Sequence, residues 1–378
     1  MQLRIAQVLP WDSWGGDVGP SLLARGCGGR ELALLSLARE WAGMGYEVDC
    51  FVPRDGGEEH EYGTGVHRYL PADLAPTELA ARRYDAVISW EAPWLLGDPT
   101  VRDCQPLMLL GLQVAHLIGG IDEAVQFDAV VALSPWHRRF LLQCEPMLEP
   151  ERVHVIPNGV DSMLIDGGDS LESRIGAARF AYTSSPDRGL VHMLEIWPKL
   201  RKTYPNATLD VFYGAKDMIS RHVFSHYAQA EMALTIKDVL ELPGVRDRGR
   251  VGRTELHKFL RSATALLYPC DSMAPTETGC CAVMEAMACG APCVITNADC
   301  LGEEFGQHSL QLPLPLDSDE YVDCVLELLS DTELYEDARE AGLALVKERT
   351  WEKLASSWLD LFRELSPGSG RVSAVAAS

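Results

Sequence analysis

The chain has 378 residues, of which 47% are hydrophobic and 23% are charged, and its formal net charge is −22. This length suffices for two domains with separate cores, and no apolar run reaches the roughly 18–20 residues that a membrane helix needs. The acidic balance disfavours direct binding of nucleic acid or of an anionic membrane, because such binding relies on lysine and arginine.

The eleven cysteines indicate a reduced protein rather than a disulfide framework. Several of them lie singly in apolar runs, where free cysteine behaves as a small hydrophobe. Others fall within a predicted strand–helix–strand pattern and lack zinc-ribbon spacing: Cys280, Cys281, Cys289 and Cys293. With an N-terminus too short and polar for a signal peptide, this pattern predicts a cytoplasmic protein without structural zinc.

Short apolar strands alternate with amphipathic helices, which predicts parallel sheets with helices on both faces. The first βαβ unit combines a strand at Leu3–Leu9, a helix at about Arg30–Met44 and a strand at Val48–Val52. Gly45 is placed to end that helix. Four further strands complete the first half: Ala86–Trp90, Pro106–Leu110, Ala129–Leu133 and Val153–Ile156.

A turn cluster at 157–161 and a polar stretch to about 173 indicate a boundary between domains 1–165 and 174–349. Strands of the second domain are predicted at Arg179–Thr183, Thr208–Tyr213, Ala265–Tyr268 and Cys293–Thr296. Its helices are predicted at about Gly189–Lys202, Thr254–Ser262, Cys281–Cys289, Asp319–Leu329 and Thr332–Glu348. A final helix near 350–365 is expected to return to the first domain, and the small, polar tail 366–378 is expected to be disordered.

Two doubly wound domains bind ligands at the carboxyl ends of their strands. If those ends face one another, the cleft between the domains is the site.

The segment after the strand that ends at Tyr268 has the pattern of an anion site. A loop carries Glu277 at its close, and a helix opens near 279–281. The backbone N–H groups of Thr278, Gly279 and Cys280 would then point at a bound anion from a helix N-terminus.

Glu285 lies about one turn further along this apolar helix, where a buried carboxylate needs a partner. A nucleotide sugar supplies matching groups: a diphosphate for the amides and hydroxyls for both carboxylates. Spacing alone leaves another interpretation open, in which Glu277 is an acid favoured by the helix dipole and Glu285 is solvated.

The segment 277–292 resembles the signature of family 4 retaining glycosyltransferases, in which two glutamates stand eight positions apart before an Ala-Met-Ala-Cys-Gly-x-Pro-like run. The resemblance implies that Glu285 holds the ribose hydroxyls of the donor and that Glu277 contacts the sugar hydroxyls beside the reacting carbon. Gly279 stands where the family usually has an aromatic or bulky residue.

The run Ser-Pro-Asp-Arg-Gly-Leu at 185–190 resembles a loop found in a subgroup of the same family. It implies that Arg188 offers a fixed cation to the leaving diphosphate and that Ser185 binds the donor. Many members of the family carry another arginine where this chain has Thr183. The diphosphate would then be held either by Arg188 and the loop amides alone or with a contribution from Lys216. A surface arginine in an ordinary turn is the alternative.

The glycine-rich segment 26–31 resembles the family's Gly-Gly-x-Glu entry to its first helix, and Gly28 and Gly29 would approach the donor closely. The tryptophans of segment 11–17 either stack on an acceptor or pack on the domain. The run Val251-Gly252-Arg253 resembles the strand end that meets the nucleobase through backbone groups around Arg253. His116 falls where the family often has a cleft histidine that touches the donor sugar, although a structural histidine fits as well.

Together these features predict an α/β protein with the GT-B fold, in which two facing Rossmann-like domains are joined by a C-terminal crossover helix. The implied reaction moves a sugar from a nucleotide sugar, with a UDP-sugar favoured, to an acceptor hydroxyl with retention. The resemblance also implies that neither a divalent metal nor another cofactor is required, and no Asp-x-Asp motif is placed to hold a metal. Retention on this fold does not need the carboxylate pair of glycoside hydrolases.

The acceptor stays open among a glycan, a metabolite, a protein and a modified nucleobase, because variable loops select it. Two other functions remain: a sugar-nucleotide epimerase of the same fold, and an inactive scaffold that binds sugar nucleotides. A pyridoxal-type phosphorylase lacks a convincing Schiff-base lysine, and a dehydrogenase lacks the dinucleotide fingerprint.

Overall fold

The structure is a computed structural model that describes residues 3–11, 16–117, 121, 127–222, 227–271 and 275–366. The chain forms two compact units. The first unit comprises 1–20, 30–157 and 351–378, and the second comprises 21–29 and 158–350. The chain therefore enters the second unit at Asn158, before the boundary that the sequence analysis placed after residue 165. Residues 12–15 of the tryptophan segment and 367–378 of the predicted tail lie outside the described residues.

Among the described residues, the first unit contains an eight-stranded sheet in the spatial order β3-β4-β2-β1-β5-β6-β7-β8. The strands are β1 (Arg4–Val8), β2 (Glu47–Val52), β3 (Glu58–Tyr62), β4 (Gly65–Pro71), β5 (Ala86–Trp90), β6 (Met108–Gly111), β7 (Ala129–Ala132) and β8 (Val153–Val155). All neighbouring strands pair in parallel except β3, which pairs antiparallel with β4. The sequence analysis missed β3, whose three glutamates are typical of an exposed edge strand.

Helices cover this sheet, beginning with α2 after the short α1 (Leu22–Arg25) of segment 21–29. The helices between residues 29 and 157 are α2 (Gly29–Gly43), α3 (Ala75–Ala81), α4 (Pro93–Leu96), α5 (Pro99–Arg102) and α6 (Pro135–Cys144). Helix α6 begins after Ser134, whose Oγ accepts a hydrogen bond of 3.0 Å from the backbone N–H of His137. That bond satisfies one of the amides that a helix start leaves unpaired.

The second unit contains, among the described residues, a six-stranded parallel sheet in the order β11-β10-β9-β12-β13-β14. Its strands are β9 (Arg179–Tyr182), β10 (Thr208–Phe212), β11 (Val245–Gly249), β12 (Ala265–Tyr268), β13 (Cys293–Thr296) and β14 (Leu310–Leu312). Its helices are α7 (Leu171–Ala177), α8 (Met193–Thr203), α9 (Ala215–His222), α10 (Tyr227–Glu241), α11 (Arg253–Leu260), α12 (Cys281–Ala288), α13 (Leu301–Phe305), α14 (Ser318–Ser330) and α15 (Thr332–Lys347). The prediction of an α/β chain with two parallel sheets is confirmed.

The last helix, α16 (Trp351–Leu365), belongs to the first unit and fills an aromatic core there. The ring of Trp358 lies 6.4 Å from that of Trp41 and 5.9 Å from that of Trp90. Phe362 lies 5.9 Å from Trp41, and Trp41 Nε1 donates a 3.0 Å hydrogen bond to the carbonyl oxygen of Ala355. The end of the chain is thus part of the core of the first unit.

No helix among the described residues combines the length and the apolar character that crossing a membrane requires.

Replacing Trp358 with alanine is expected to destabilise the first unit, because a large side chain that is only 3% exposed would leave a cavity among three aromatic rings. The expected loss is about 3–5 kcal/mol in the free energy of unfolding, measured by thermal or urea unfolding. Ser357→Ala, on the exposed side of the same helix, is the control and should change that free energy by less than about 0.5 kcal/mol. Equal stability of the Trp358→Ala and Ser357→Ala proteins would contradict this packing.

Candidate functional site

The strand order of the second sheet marks where a ligand site is expected. Strands β9 and β12 are neighbours at the centre of the sheet. From β9 the chain continues outward through β10 and β11 to one edge, and from β12 it continues through β13 and β14 to the other edge. Open parallel sheets bind ligands at such a reversal, outside the carboxyl ends of the strands. The loops that leave the sheet there are 183–189 after β9 and 269–280 after β12, which carry Arg188 and Glu277.

Arg188 and Glu277 form an ion pair at this reversal. Arg188 Nη1 donates to Glu277 Oε1 at 2.5 Å, and the hydroxyl of Tyr268 donates to the same oxygen at 2.6 Å. Tyr268 also shares a 2.9 Å hydrogen bond with Ser184 Oγ. Glu277 is 1% exposed, whereas the Arg188 side chain keeps 32% of its surface exposed. The pair thus combines a buried carboxylate with a cation that a ligand can reach.

Electrostatics keep Arg188 protonated. Burial lowers the pKa of its guanidinium, but the charge of Glu277 and smaller contributions from neighbouring tyrosines and Asp187 together outweigh burial and hold the pKa well above its ordinary value. Arg188 is therefore a permanent cation at the end of β9.

The loop that carries Arg188 is a closed turn. The hydroxyl of Tyr182 donates to the carbonyl oxygens of Ser185 and Arg188 at 2.8 and 3.0 Å, and Arg188 N donates to Ser185 O at 3.0 Å. Gly189 has a φ of +93°, and a Cβ there would lie 2.0 Å from the carbonyl oxygen of Pro269. Only glycine fits this approach of the two loops, which explains why it follows the arginine.

Backbone hydrogen bonds fix Glu277 in its turn. Asp299 Oδ2 accepts from the amides of Thr276 and Glu277 at 2.8 and 3.0 Å. The amide of Cys300 donates to the carbonyl oxygen of Glu277 at 3.2 Å. The carboxylate is thus positioned by its own backbone as well as by Arg188.

The predicted amide cluster lies at the start of α12. Cys280 is the residue before the helix, Thr278 and Cys280 are buried, and the carbonyl oxygen of Gly279 accepts a 3.2 Å hydrogen bond from Asn158 Nδ2. Burial raises the pKa of the Cys280 thiol well above its ordinary value, so it stays neutral. That the three amides bind an anion stays a prediction.

Glu285 is buried on α12 and carries two partners from the start of α11. Arg253 Nη1 contacts both carboxylate oxygens, and His257 Nε2 lies 3.2 Å from Oε1. Burial raises the pKa of Glu285, yet the charges and hydrogen bonds of Arg253 and His257 together outweigh burial and leave that pKa below its ordinary value. Glu285 is therefore an ionised, paired carboxylate rather than a solvated residue.

The backbone around Arg253 was predicted to meet the nucleobase, and that contact stays a prediction. The side chain of Arg253 holds Glu285. His257 is a member of this cluster that the sequence analysis missed, although its position one turn after Arg253 on α11 was a signal. Arg253 Nη2 also donates to the carbonyl oxygen of Cys27 at 3.2 Å, so the glycine-rich segment 21–29 lies beside the cluster. Within that segment Gly28 is buried and Gly29 begins α2, and their contact with the donor stays a prediction.

Two further predicted site residues, Lys216 and His116, make other contacts. Lys216 on α9 is 77% exposed, and its Nζ lies 3.5 Å from Asp247 Oδ2. His116 belongs to the first unit, where it is exposed and its ring lies 6.0 Å from that of Phe140. Lys216 therefore contacts Asp247 and not Arg188, and the contact that His116 makes with Phe140 lies within the first unit. Ser185 lies in the Arg188 turn, with its Oγ donating to Asp187.

The first sheet reverses its strand order between β1 and β5, and a charged cluster lies there. Glu91 follows β5 with a φ of +56°, and its carboxylate lies 2.6 Å from Arg30 Nη1 and accepts a 3.2 Å hydrogen bond from Gln113 N. Arg30 Nη2 also lies 3.2 Å from Glu31 Oε1. Burial raises the pKa of Glu91 above its ordinary value despite Arg30.

Within the described part of the chain, no three His, Cys, Asp or Glu side chains are grouped to hold a metal ion. Metal independence of the reaction stays a prediction.

The Glu285 cluster predicts a pH-dependent contribution to stability. Because the folded pKa of Glu285 lies below its ordinary 4.5, the contribution is full above about pH 4.5 and is lost as pH falls through the folded pKa. Glu285→Gln should lower the free energy of unfolding by about 3 kcal/mol near neutral pH, because Arg253 loses its buried counter-charge. In urea unfolding, this difference from the unsubstituted protein should shrink towards about pH 4. Glu340→Gln, exposed on α15, is the control, and a difference that stays constant with pH would contradict the ion pair.

Comparison with known proteins identifies the second unit. Residues 180–344 match the sequence family described as "Glycosyl transferases group 1". The chain is 24% identical over 341 residues to the alpha-maltose-1-phosphate synthase of Mycolicibacterium smegmatis, with 81% of this chain and 78% of that protein aligned. It is 25% identical over 259 residues to the alpha-maltose-1-phosphate synthase of Mycobacterium tuberculosis, with 63% of each chain aligned.

Solved structures with the same fold span nearly the whole chain. Sucrose-phosphate synthase from Thermosynechococcus elongatus has a TM-score of 0.69 at 17% identity, covering 96% of this chain and 99% of that one. Anabaena HepE, solved with UDP and glucose, has a TM-score of 0.68 at 15% identity, covering 96% and 100%. These likenesses show the GT-B fold. The chain thus carries a glycosyltransferase group 1 domain on a GT-B fold, and it is a glycosyltransferase.

Proposed function

We propose that this glycosyltransferase moves a sugar from a nucleotide sugar to an acceptor hydroxyl, with retention at the anomeric carbon and without a metal. The observation that carries the proposal is the Arg188–Glu277 pair at the reversal of the second sheet. It places a permanent cation and a buried carboxylate side by side where a doubly wound sheet binds its ligand.

Arg188 is suited to the departing diphosphate. A guanidinium has five N–H donors, and the contact with Glu277 is made through Nη1, so the same side chain can hold the carboxylate and a phosphate together. Its charge exists before the reaction begins and needs no rearrangement as negative charge develops on the leaving group. Glu277 in turn orients Arg188 and accepts hydrogen bonds from the hydroxyls of the transferred sugar.

Glu285 is suited to the ribose of the donor. An ionised carboxylate accepts hydrogen bonds only, and a ribose diol supplies two donors. Arg253 and His257 hold Glu285 in one orientation from α11. The two glutamates stand eight positions apart on either side of the start of α12, so they suit the sugar and ribose ends of one donor, with the amides of Thr278 to Cys280 between them.

A UDP-sugar is the favoured donor, since HepE of the same fold was solved with UDP-glucose and with UDP. The Arg30–Glu91 cluster of the first unit is the proposed acceptor side. The acceptor stays open among a glycan, a metabolite, a protein and a modified nucleobase. A cytoplasmic location is proposed from the cysteine pattern of the sequence.

A panel of UDP-, GDP-, ADP- and TDP-glucose in thermal unfolding tests the donor. One nucleotide should raise the unfolding midpoint by several degrees, as expected for a ligand at about 100 times its Kd. Candidate acceptors are then screened by mass shift with that donor, and NMR of the product should show the same anomeric configuration as the donor, with turnover unchanged by EDTA. No shift with any donor would contradict the proposal, and conversion of the donor sugar without an acceptor would indicate an epimerase.

Glu277→Gln is expected to reduce transfer by more than about tenfold, because the neutral amide neither anchors Arg188 as an ion nor accepts as strongly from the sugar hydroxyls. Arg188→Ala should cause a loss of the same order. Steady-state turnover with the best donor measures both, with circular dichroism to verify folding. Glu336→Gln, which breaks the half-buried ion pair with Arg339 on α15, is the matched control and should keep full turnover. Turnover of Glu277→Gln equal to that of the control would refute the assigned role.

A further inference from the structure

Tyr213 has a backbone conformation that an aromatic residue rarely adopts. It follows β10 with a φ of +88°, in the region that glycine occupies without strain. The other non-glycine residues with positive φ among the described residues are Glu91, Ala178 and Asp299. Aspartate tolerates positive φ better than most residues, which accounts for Asp299. Ala178 follows the last residue of α7, and a left-handed conformation is common at that position of a helix. Strain at an aromatic residue points to a need for its side chain.

Tyr213 is the first residue after the carboxyl end of β10, so it lies at the edge of the second sheet where its loops begin. Val211 pairs with Tyr182, the last residue of β9, so Tyr213 and the loop 183–189 leave neighbouring strands at the same edge of the sheet. Phe212 pairs with Gly249, the last residue of β11, so Arg250 leaves the sheet at that edge too. Tyr213 therefore lies between the loop that carries Arg188 and the end of β11.

Side-chain contacts agree with this position. The guanidinium carbon of Arg250 lies 5.5 Å from the centre of the Tyr213 ring, within the range of a cation–π contact. Burial lowers the pKa of Arg188, while Glu277, Tyr268 and Tyr213, in that order, raise it. Tyr213 is thus within electrostatic reach of Arg188.

The same edge needs another phosphate-binding group. Thr183 at the start of the Arg188 loop carries no charge, and Lys216 is exposed beside Asp247. A nucleoside diphosphate carries more negative charge than Arg188 alone can balance once Glu277 is paired with it. A phenol hydroxyl is a hydrogen-bond donor that adds no charge, and bonds to an ionised acceptor are strong.

We propose that Tyr213 is a specificity-determining residue of the donor site, whose hydroxyl donates a hydrogen bond to the terminal phosphate of the nucleoside diphosphate beside Arg188. The inference rests on the proposed function and adds to it a role for Tyr213 in the loop after β10. Arg250 holds the ring from one side and adds positive charge to the same edge.

Calorimetric titration with UDP and with UMP tests this role, since UMP lacks the terminal phosphate. GDP with GMP, or ADP with AMP, replaces that pair where the unsubstituted chain prefers the other base. Tyr213→Phe should weaken binding of the diphosphate by about fivefold or more and leave the monophosphate within about twofold. Tyr213→Gly should show the same selective loss, with an unfolding midpoint that is equal or higher because the strain is relieved.

Ala178→Gly is the matched control. It relieves a positive φ of +44° in the same unit, but it precedes β9 and so lies at the amino end of the sheet. It should leave binding of the diphosphate within about twofold and should not lower the midpoint.

Unchanged diphosphate binding by Tyr213→Phe, or equal losses for diphosphate and monophosphate, would overturn the role of Tyr213. If the unsubstituted chain binds the nucleotides and the Tyr213 variants bind the diphosphate equally well, the role of Tyr213 fails while the proposed donor site stands. If the folded unsubstituted chain binds none of these nucleotides, the proposed donor site fails, and the inference fails with it.

Discussion

The buried carboxylate of Glu277 is the constraint that organises the second unit. A charge that is 1% exposed is costly unless it is paired and hydrogen-bonded, and here the partners come from one loop and one strand end. Arg188 arrives from the loop after β9, and Tyr268 ends β12. Strands β9 and β12 are neighbours only because the sheet reverses its order there, so the topology itself brings the cation to the carboxylate.

Helix α12 connects this pair to a second, independent one. Glu285 lies inside the helix, and its counter-charge Arg253 comes from the start of α11. Each glutamate therefore has its own arginine, and the start of α12 lies between the two pairs. Because both carboxylates are already compensated, they can be held ready for neutral hydroxyl donors without a penalty for an unpaired buried charge. A nucleotide sugar presents such hydroxyls at both ends of its diphosphate.

The sequence predicted the elements with the strongest local signals. The strands Ala86–Trp90, Ala265–Tyr268 and Cys293–Thr296 were predicted with the bounds that the structure has, because central strands of parallel sheets are continuous apolar runs. The edge strands β3 and β11 were missed, since their charged residues hide the strand pattern. Partners that are distant in sequence could not be foreseen either. Neither the contact of Arg253 with Glu285 nor the strained conformation of Tyr213 has a local signal.

A crystal structure of the chain with bound UDP-glucose would show whether the carboxyl edge of the second sheet binds the donor. The diphosphate is expected to lie at the Arg188 turn and the start of α12, with the ribose hydroxyls donating to Glu285 and the sugar hydroxyls donating to Glu277. Electron density for the nucleotide elsewhere, with the Arg188–Glu277 edge unchanged and empty at saturating ligand, would contradict the account.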